Sequence, residues 1–287
     1  MKLYTPPADL LAAAAASPVV TEYLAWRRAG NVPTLLSIGA DAKTSKGEGA
    51  GYLTAIIYLS PADAAARATG LPLKNLCPAA SEGCRAACLA ETSGRMVFAA
   101  NVRARLYRTL LYMFEPEAFR AALRSELKAF IRKAERAGLK PVCRPNGGQD
   151  ILWERVFPEL FAEFPGVRFY DYTKILPSRY RRDLPENYHL TFSRAESNHL
   201  ACLEFLAAGG NVAIVLDTAG APLPETLEGF PVVAGDEDDV RLPERDGRGV
   251  WVALRPKGGV AARDTTGFVY RMSQGRRTTA VRILPTA

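Results

Sequence analysis

The sequence has 287 residues, of which 48% are hydrophobic and 23% are charged. This composition is that of a globular chain that buries a sizeable core, and it excludes a largely disordered protein. The formal net charge of +7 predicts either a surface that attracts polyanions such as nucleic acids or nucleotides, or a plain solvated basic surface.

The cysteines and the apolar runs indicate the compartment. Five cysteines, three of them within twelve positions, do not resemble the even-numbered disulfide framework of a small secreted protein. The Ala-rich start is interrupted by Pro6, Pro7 and Asp9, so it is a poor signal peptide. No apolar stretch reaches the ~20 residues of a membrane span. We expect a cytoplasmic protein without membrane contact.

The first elements are a helix from Pro7 to Gly30 and a short strand from Thr34 to Gly39. A polar, Gly-rich loop follows and contains Lys43 and Lys46. The loop lacks the order of Gly, four residues and Gly-Lys-Ser/Thr that defines a phosphate-binding loop. Its two lysines are therefore either phosphate contacts or part of a solvated loop.

A buried strand is predicted from Tyr52 to Leu59, and a helical stretch from Val97 to Gly138 that Pro116 divides in two. Three arginines of that stretch either contact phosphates or form a solvated face: Arg103, Arg105 and Arg108. Six further short apolar runs follow Gly138, which makes seven candidate strands.

This order of elements predicts an α/β fold, a complete or partial TIM-type β/α barrel in a single domain. We divide it into an N-terminal helical extension (1–33), a barrel core (34–260) and a basic tail (261–287) that lies on the surface. Oligomeric state is not predicted.

Polar residues follow the apolar runs, and in a parallel barrel the carboxyl ends of the strands converge on the ligand. Each one alone also fits a turn, a cap or an ion pair, but together they could surround a phosphate-bearing ligand. The candidate catalytic residues are Asp150, Asp171, Lys174 and Asp236, and the candidate phosphate contacts are Arg144, Arg194, Arg255 and Lys257. The acidic run at Asp236, Asp238 and Asp239 predicts an exposed turn or a site for a divalent cation.

Cys77, Cys84 and Cys88 form a C-x6-C-x3-C segment after the first buried strand. Its neighbours are polar, so the thiols fit a metal or cluster site better than a core, although structural thiols stay an alternative. Three thiolates could bind zinc, with Cys143 or His199 as a weak fourth ligand, or three irons of a four-iron cluster. His189 lies in an apolar run and fits a core histidine. The lack of an obvious fourth ligand favours the cluster.

The ordered series of the three-cysteine loop, RPNGGQD, FYDYTK, LTFSRAESN, VVAGDEDDVRL and VALRPKG resembles the phage-associated gene product 88 family, from about Leu36 to Lys257. Members of that family occur in phages, prophages and other mobile elements. The resemblance implies a phage protein that acts in the cytoplasm of a bacterial host.

The chain also resembles, more distantly, the radical S-adenosylmethionine enzymes, whose partial barrel carries three cluster-binding cysteines after its first strand. That resemblance implies a four-iron cluster on Cys77, Cys84 and Cys88, and S-adenosylmethionine held by Gly147 and Gly148. By fold analogy alone, its ribose and adenine would meet Ser193, Asn198 and Asp217. The spacing departs from that superfamily, which usually shows C-x3-C-x2-C.

Three functions follow as hypotheses. The first is an iron–sulfur enzyme of radical type that modifies a nucleic acid or a nucleotide. The second is a zinc-containing barrel that acts on nucleic-acid bases, as a transglycosylase does, with Asp150, Asp171 or Asp236 as nucleophile or base. The third is a nucleic-acid-binding protein of phage replication without enzymatic activity, whose cysteine loop is a structural staple.

Overall fold

Ten strands form one mixed sheet at the centre of the protein, for which a computed structural model describes residues 4–39, 46–181 and 183–272. The strands are β1 (Leu36–Ile38), β2 (Tyr52–Ile57), β3 (Lys140–Arg144), β4 (Arg168–Thr173), β5 (Tyr188–Ser193), β6 (Val212–Asp217), β7 (Thr226–Leu227), β8 (Phe230–Ala234), β9 (Trp251–Leu254) and β10 (Tyr270–Arg271).

Seven neighbouring strands of the sheet are parallel, in the order β2-β3-β4-β5-β6-β9-β8. They are the seven strands predicted from the sequence, so the α/β class is confirmed. β1 and β7 pair antiparallel at the two ends of the order. No backbone pairing joins these two ends within the described residues.

Thirteen α-helices connect or cover the strands in the part of the chain that the structure describes. They are α1 (Ala8–Ala16), α2 (Pro18–Arg28), α3 (Ala64–Thr69), α4 (Glu82–Ala86), α5 (Leu89–Thr92), α6 (Ala99–Phe114), α7 (Pro116–Arg136), α8 (Trp153–Val156), α9 (Glu159–Glu163), α10 (Pro177–Tyr180), α11 (His199–Ala207), α12 (Pro243–Asp246) and α13 (Gly258–Ala262).

Prolines set two of the helix boundaries. Pro116 is the first residue of α7 and separates it from α6, as predicted. The prediction of one helix from Pro7 to Gly30 was wrong, because Ser17 is extended and Pro18 begins a second helix. A proline lacks the N–H that a continuous helix needs at that position.

One face of the sheet is covered by helices. Alternate residues of β2 and β3, such as Ala55 and Cys143, pack against the apolar side of α7. At the other end of the sheet, Ile214 and Trp251 pack with Cys202 of α11. The period of two along each strand places the neighbouring residues on the opposite face.

That opposite face is closed at one end by the segment that follows β8. Val240 and Leu242 pack on Tyr52, Val142 and Tyr170, near the starts of the strands. The carboxyl ends of the strands are not covered by this segment, and they line a cavity.

The last described residues pack on the sheet and on the cavity. Residues 261–272, which the sequence analysis assigns to the basic tail, include β10, which pairs with the carboxyl end of β6. Val269 is buried and Phe268 faces the cavity. Residues 273–287 of that tail lie outside the described part.

Within the described ranges, no helix has the length and apolarity needed to cross a bilayer.

Candidate functional site

A cavity of about 630 Å³ opens at the carboxyl ends of the parallel strands. Residues at or after β3, β4, β5, β6, β8 and β9 line it, together with the loop after β2 that carries the three cysteines. This is where ligands of open or closed parallel α/β sheets bind. The volume lies within the ordinary range for small-molecule sites.

Cys77, the first of the three cysteines, is held by contacts with two neighbouring loops. Its Sγ accepts a hydrogen bond from the Ala62 N–H at 3.2 Å and lies 3.8 Å from the Gly148 carbonyl oxygen. The Asp150 N–H donates to the Leu76 carbonyl at 2.8 Å. These contacts join the cysteine loop to the loop that follows β3.

Cys84 lies on the short helix α4, whose first turn is held by Glu196. The Glu196 carboxylate accepts hydrogen bonds from the Ser81 hydroxyl at 2.6 Å and from the Gly83 N–H at 2.9 Å. Gly83 itself packs so closely on Phe268 that a Cβ there would lie 2.4 Å from that side chain. The position of Cys84 therefore depends on β5 and on the end of the described chain.

Cys88 precedes helix α5, and a buried arginine holds the chain just beyond it. Arg105 is 4% exposed, and its guanidinium donates to the carbonyls of Ala90 at 3.0 Å and Met96 at 2.9 Å. An arginine that satisfies two carbonyls in this way fixes an irregular segment that has few bonds of its own.

All three thiols line the cavity and are half-buried. Burial, with smaller effects of Asp150 and the other two cysteines, raises the pKa of Cys77 to about 12, although the hydrogen bond from the Ala62 N–H opposes the shift. Burial also raises the pKa of Cys84 and of Cys88. A cationic metal centre would reverse these shifts, because it stabilises thiolates directly.

The two weak candidates for a fourth zinc ligand lie elsewhere. Cys143 is fully buried on the helix-covered face of the sheet. The His199 ring bonds to Glu228 at 2.8 Å and stacks on Trp251 and Tyr270. Within the described residues, no three His, Cys, Asp or Glu side chains are grouped so that they could hold a metal ion.

The two glycines after β3 have different surroundings. A Cβ on Gly147 would lie 2.5 Å from Tyr58 Cδ1 and 2.6 Å from Ile56 Cγ2, so the close approach of β2 and this loop requires glycine. A Cβ on Gly148 would lie no closer than 3.5 Å to its nearest neighbour, Ala90. Both glycines line the cavity.

Asp150 and Lys174 face the cavity beside the cysteines. One Asp150 oxygen, Oδ2, accepts from the Lys174 N–H at 2.8 Å, whereas the buried Oδ1 has no partner among the described residues. Burial raises the pKa of Asp150, although the hydrogen bonds from Lys174 and Thr173 oppose that shift. A buried carboxyl with a free oxygen can accept or donate a proton in the cavity.

Asp171, the other predicted catalytic acid of this region, does not reach the cavity. It is fully buried, and its oxygens accept from the Asn146 N–H at 2.7 Å, the Asn146 side chain at 3.0 Å and the Tyr188 hydroxyl at 2.6 Å. Burial raises its pKa to about 7. In this position Asp171 orients the Asn146 loop through its hydrogen bonds.

Of the three residues assigned to ribose and adenine by analogy, only Ser193 lines the cavity. The Asn198 side chain closes the turn after β5 by bonds to Ala195 N and Ser193 O. Asp217 forms an ion pair with Arg271. The side chains of Asn198 and Asp217 thus have partners within the protein and lie outside the cavity lining.

The acidic residues after β8 form ion pairs with arginine side chains. Asp239 is buried and pairs with Arg144 at 2.9 Å, and Arg144 lies 4.6 Å above the Tyr172 ring. Asp238 is also buried, and it pairs with Arg245 at 2.6 Å. The expectation of an exposed acidic turn was therefore wrong for these two residues, because arginines neutralise them inside the protein.

The predicted phosphate contacts on α6 are only partly exposed. Arg103 is exposed and lies 3.6 Å from Glu22. Arg105 is buried as described above, and Arg108 donates to the Thr34 carbonyl at 2.6 Å. Neither a phosphate contact nor a solvated face describes Arg105, because it is buried and its guanidinium is bonded to carbonyls of the protein. Lys43 lies outside the described residues.

The remaining predicted basic contacts all line the cavity: Lys46, Arg144, Arg194, Arg255 and Lys257. Asp236 lies among them, with Lys257 Nζ at 2.6 Å from its Oδ1. Phe268 is a cavity residue that the sequence did not reveal, since it lies in the segment predicted to be a surface tail. The link between Glu196 and the cysteine helix also depends on tertiary structure that no local pattern shows.

The structure is that of an α/β protein in which three cysteines line a cavity at the carboxyl ends of the parallel strands. The chain matches the family model described as gene product 88 over residues 34–272, and it therefore belongs to that family, the phage-associated family that the sequence resembles. Comparisons with curated proteins and with solved structures returned no match.

Proposed function

We propose that the protein is an iron–sulfur enzyme of the radical S-adenosylmethionine type that modifies a nucleic acid or a nucleotide. The observation that carries this proposal is the convergence of Cys77, Cys84 and Cys88 on the same cavity as Gly147 and Gly148. Thiolates are soft ligands that suit iron–sulfur clusters.

The donor set fits a cluster better than a single zinc ion. A zinc ion in such a site takes four ligands, and the two candidates for the fourth, Cys143 and His199, have their partners elsewhere in the protein. A four-iron cluster could be held by three cysteines, with its fourth iron left open.

A curled sheet, as in a partial barrel, is part of the proposal. The six parallel strands from β3 to β8 would extend over about 24 Å in a flat sheet with a spacing of ~4.8 Å. A single cavity of about 630 Å³ is nevertheless lined from β3 at one side and β8 at the other. Strong curvature would bring these strand ends together.

A bound cluster would supply one-electron chemistry. The chain itself would do the rest: Gly148 leaves space beside the cysteines, Phe268 adds an apolar side chain to the cavity wall, and Asp150, which lines the cavity, would accept or donate a proton. We propose that this takes place in the cytoplasm of a bacterial host, in keeping with the phage-associated family and with five cysteines that form no disulfide.

The proposal is tested by cofactor cleavage. Protein reconstituted without oxygen receives dithionite as electron donor and S-adenosylmethionine, with and without DNA or RNA, and the adenosine-containing fragment is measured. We expect release that increases with the right nucleic acid and is abolished in Cys84→Ser. Cys202→Ser, a change at a buried cysteine outside the cavity, should behave as wild type. A cluster-loaded protein that never cleaves the cofactor would refute the assignment of S-adenosylmethionine.

A further inference from the structure

The cations that line the cavity differ in how fully they are neutralised. Arg144 is paired with buried Asp239. The Arg194 guanidinium donates to the carbonyls of Gly267 at 2.6 Å and Phe268 at 2.9 Å. Both guanidinium groups are occupied by partners within the protein, so these arginines are poor candidates for direct contact with a ligand.

Three other cations meet around Asp236 at the end of β8. Lys257 Nζ lies 2.6 Å from Asp236 Oδ1, and Lys46 Nζ donates to the Asp236 carbonyl oxygen at 2.9 Å. The Arg255 N–H donates to Asp236 Oδ2 at 2.8 Å, which fixes the backbone from which its side chain extends. Asp236 thus gathers cations from the loop before β2 and from the end of β9.

One carboxylate cannot neutralise three cations, so this cluster carries an excess of two positive charges. Lys46 bonds to a neutral carbonyl, and the Arg255 guanidinium has no acceptor among the described residues. Glu237, the next residue along the chain, is exposed and does not line the cavity. The excess charge therefore faces the cavity.

We propose that Lys46, Arg255 and Lys257 form a phosphate-binding subsite, here called the phosphate rim. Arginine and lysine bind phosphate by charge-assisted hydrogen bonds, and the planar arginine head matches two phosphate oxygens at once. The inference deepens the proposed function, because it assigns a phosphate group of the substrate to the side of the cavity formed by β8 and β9. The phosphate belongs either to a free nucleotide or to a nucleic-acid strand.

The test compares ligands that differ by one phosphate. Isothermal titration calorimetry measures the binding of thymidine 5′-monophosphate and of thymidine, and fluorescence anisotropy measures the binding of a short single-stranded oligonucleotide at several salt concentrations. The variants are Lys46→Ala, Arg255→Ala and, as a matched exposed arginine outside the cavity, Arg132→Ala.

We expect thymidine 5′-monophosphate to bind and thymidine not to bind, with affinity reduced about tenfold in each rim variant and unchanged in Arg132→Ala. If the strand is the source of the phosphate, the oligonucleotide alone binds, and Arg255→Ala lowers its salt slope by about one. Equal binding of nucleoside and nucleotide, no binding of either phosphate ligand, or sensitivity to Arg132→Ala in place of the rim variants overturns the subsite.

The same titrations in Cys84→Ser separate this inference from the proposed function. Phosphate binding that persists without iron supports the rim and leaves the cluster to its own test. If the protein contains iron and sulfide but does not bind the phosphate ligands, only the assignment of the phosphate rim is overturned. Circular dichroism of each rim variant checks the fold, which we expect to be unchanged because Arg255 and Lys257 are exposed.

Discussion

Glu196 accepts a 2.6 Å hydrogen bond from the hydroxyl of Ser81, and this bond ties strand β5 to the helix that carries Cys84. Burial raises the pKa of Glu196, but the bonds from Ser81 and Gly83 outweigh that effect and lower it, so the carboxylate is charged at neutral pH.

We therefore expect Glu196→Ala to loosen the cysteine loop. The loss of the two bonds should lower the free energy of unfolding by about 1 kcal/mol and speed the release of iron to a chelator. Urea unfolding and iron release, both against Glu204→Ala as an exposed control, measure this. Unchanged iron release in Glu196→Ala would show that β5 does not position Cys84.

The two glycines after β3 should respond differently to alanine. Gly147→Ala places a methyl group within 2.7 Å of the Ile57 carbonyl and of two side chains, so it should destabilise the protein by about 2 kcal/mol. Gly148→Ala has space for its methyl group and should leave the unfolding midpoint nearly unchanged. Thermal unfolding of both variants checks this, and equal midpoints would contradict the close packing of β2 on this loop.

Arg105 and Arg103 lie on the same helix but should have opposite phenotypes. Arg105→Ala leaves the buried Ala90 carbonyl and the partly buried Met96 carbonyl without this donor and should cost about 2–3 kcal/mol of unfolding free energy. Arg103→Ala, at an exposed position, should change it by less than about 0.5 kcal/mol. A stable Arg105→Ala variant with weakened nucleic-acid binding would restore the prediction that this arginine contacts phosphate.

Asp171 should make stability depend on pH. Burial raises its pKa to about 7, against an ordinary value of 3.8. Between these values the folded state holds a proton that the unfolded state has lost, so the free energy of unfolding falls as the pH rises through 7. The contribution is fully present below about pH 4.

Tyr188→Phe tests this assignment, because the Tyr188 hydroxyl bonds to Asp171 and lowers its pKa. The variant should move the decline in stability to higher pH. Urea unfolding from pH 5 to pH 8.5 measures both proteins. A stability that rises with pH in this range, or an identical midpoint in the variant, would contradict the assignment.

The sequence predicted the strands well because their pattern is local. Long apolar runs such as Tyr52–Ile57 are buried on both faces, which produces an unbroken β-branched signal. The break between α1 and α2 was missed because the Ala-rich run continues up to Ser17, although Pro18 marks the boundary.

The site was predictable in position but not in detail. Sequence identifies polar residues at strand ends, but whether a side chain faces the cavity depends on partners far along the chain. Asp150 lines the cavity, whereas Asp171 is fully buried and bonded to Asn146 and Tyr188. Arg105 looks like a surface arginine until Ala90 and Met96 present their carbonyls to it.

The most direct test of the central claim is the iron and sulfide content of protein prepared without oxygen, together with its visible absorption spectrum. The account predicts about four irons and four sulfides per chain, absorption that is lost in Cys84→Ser and retained in Cys202→Ser. One zinc per chain, or no metal in either the purified or the reconstituted protein, would contradict the claim that Cys77, Cys84 and Cys88 hold an iron–sulfur cluster.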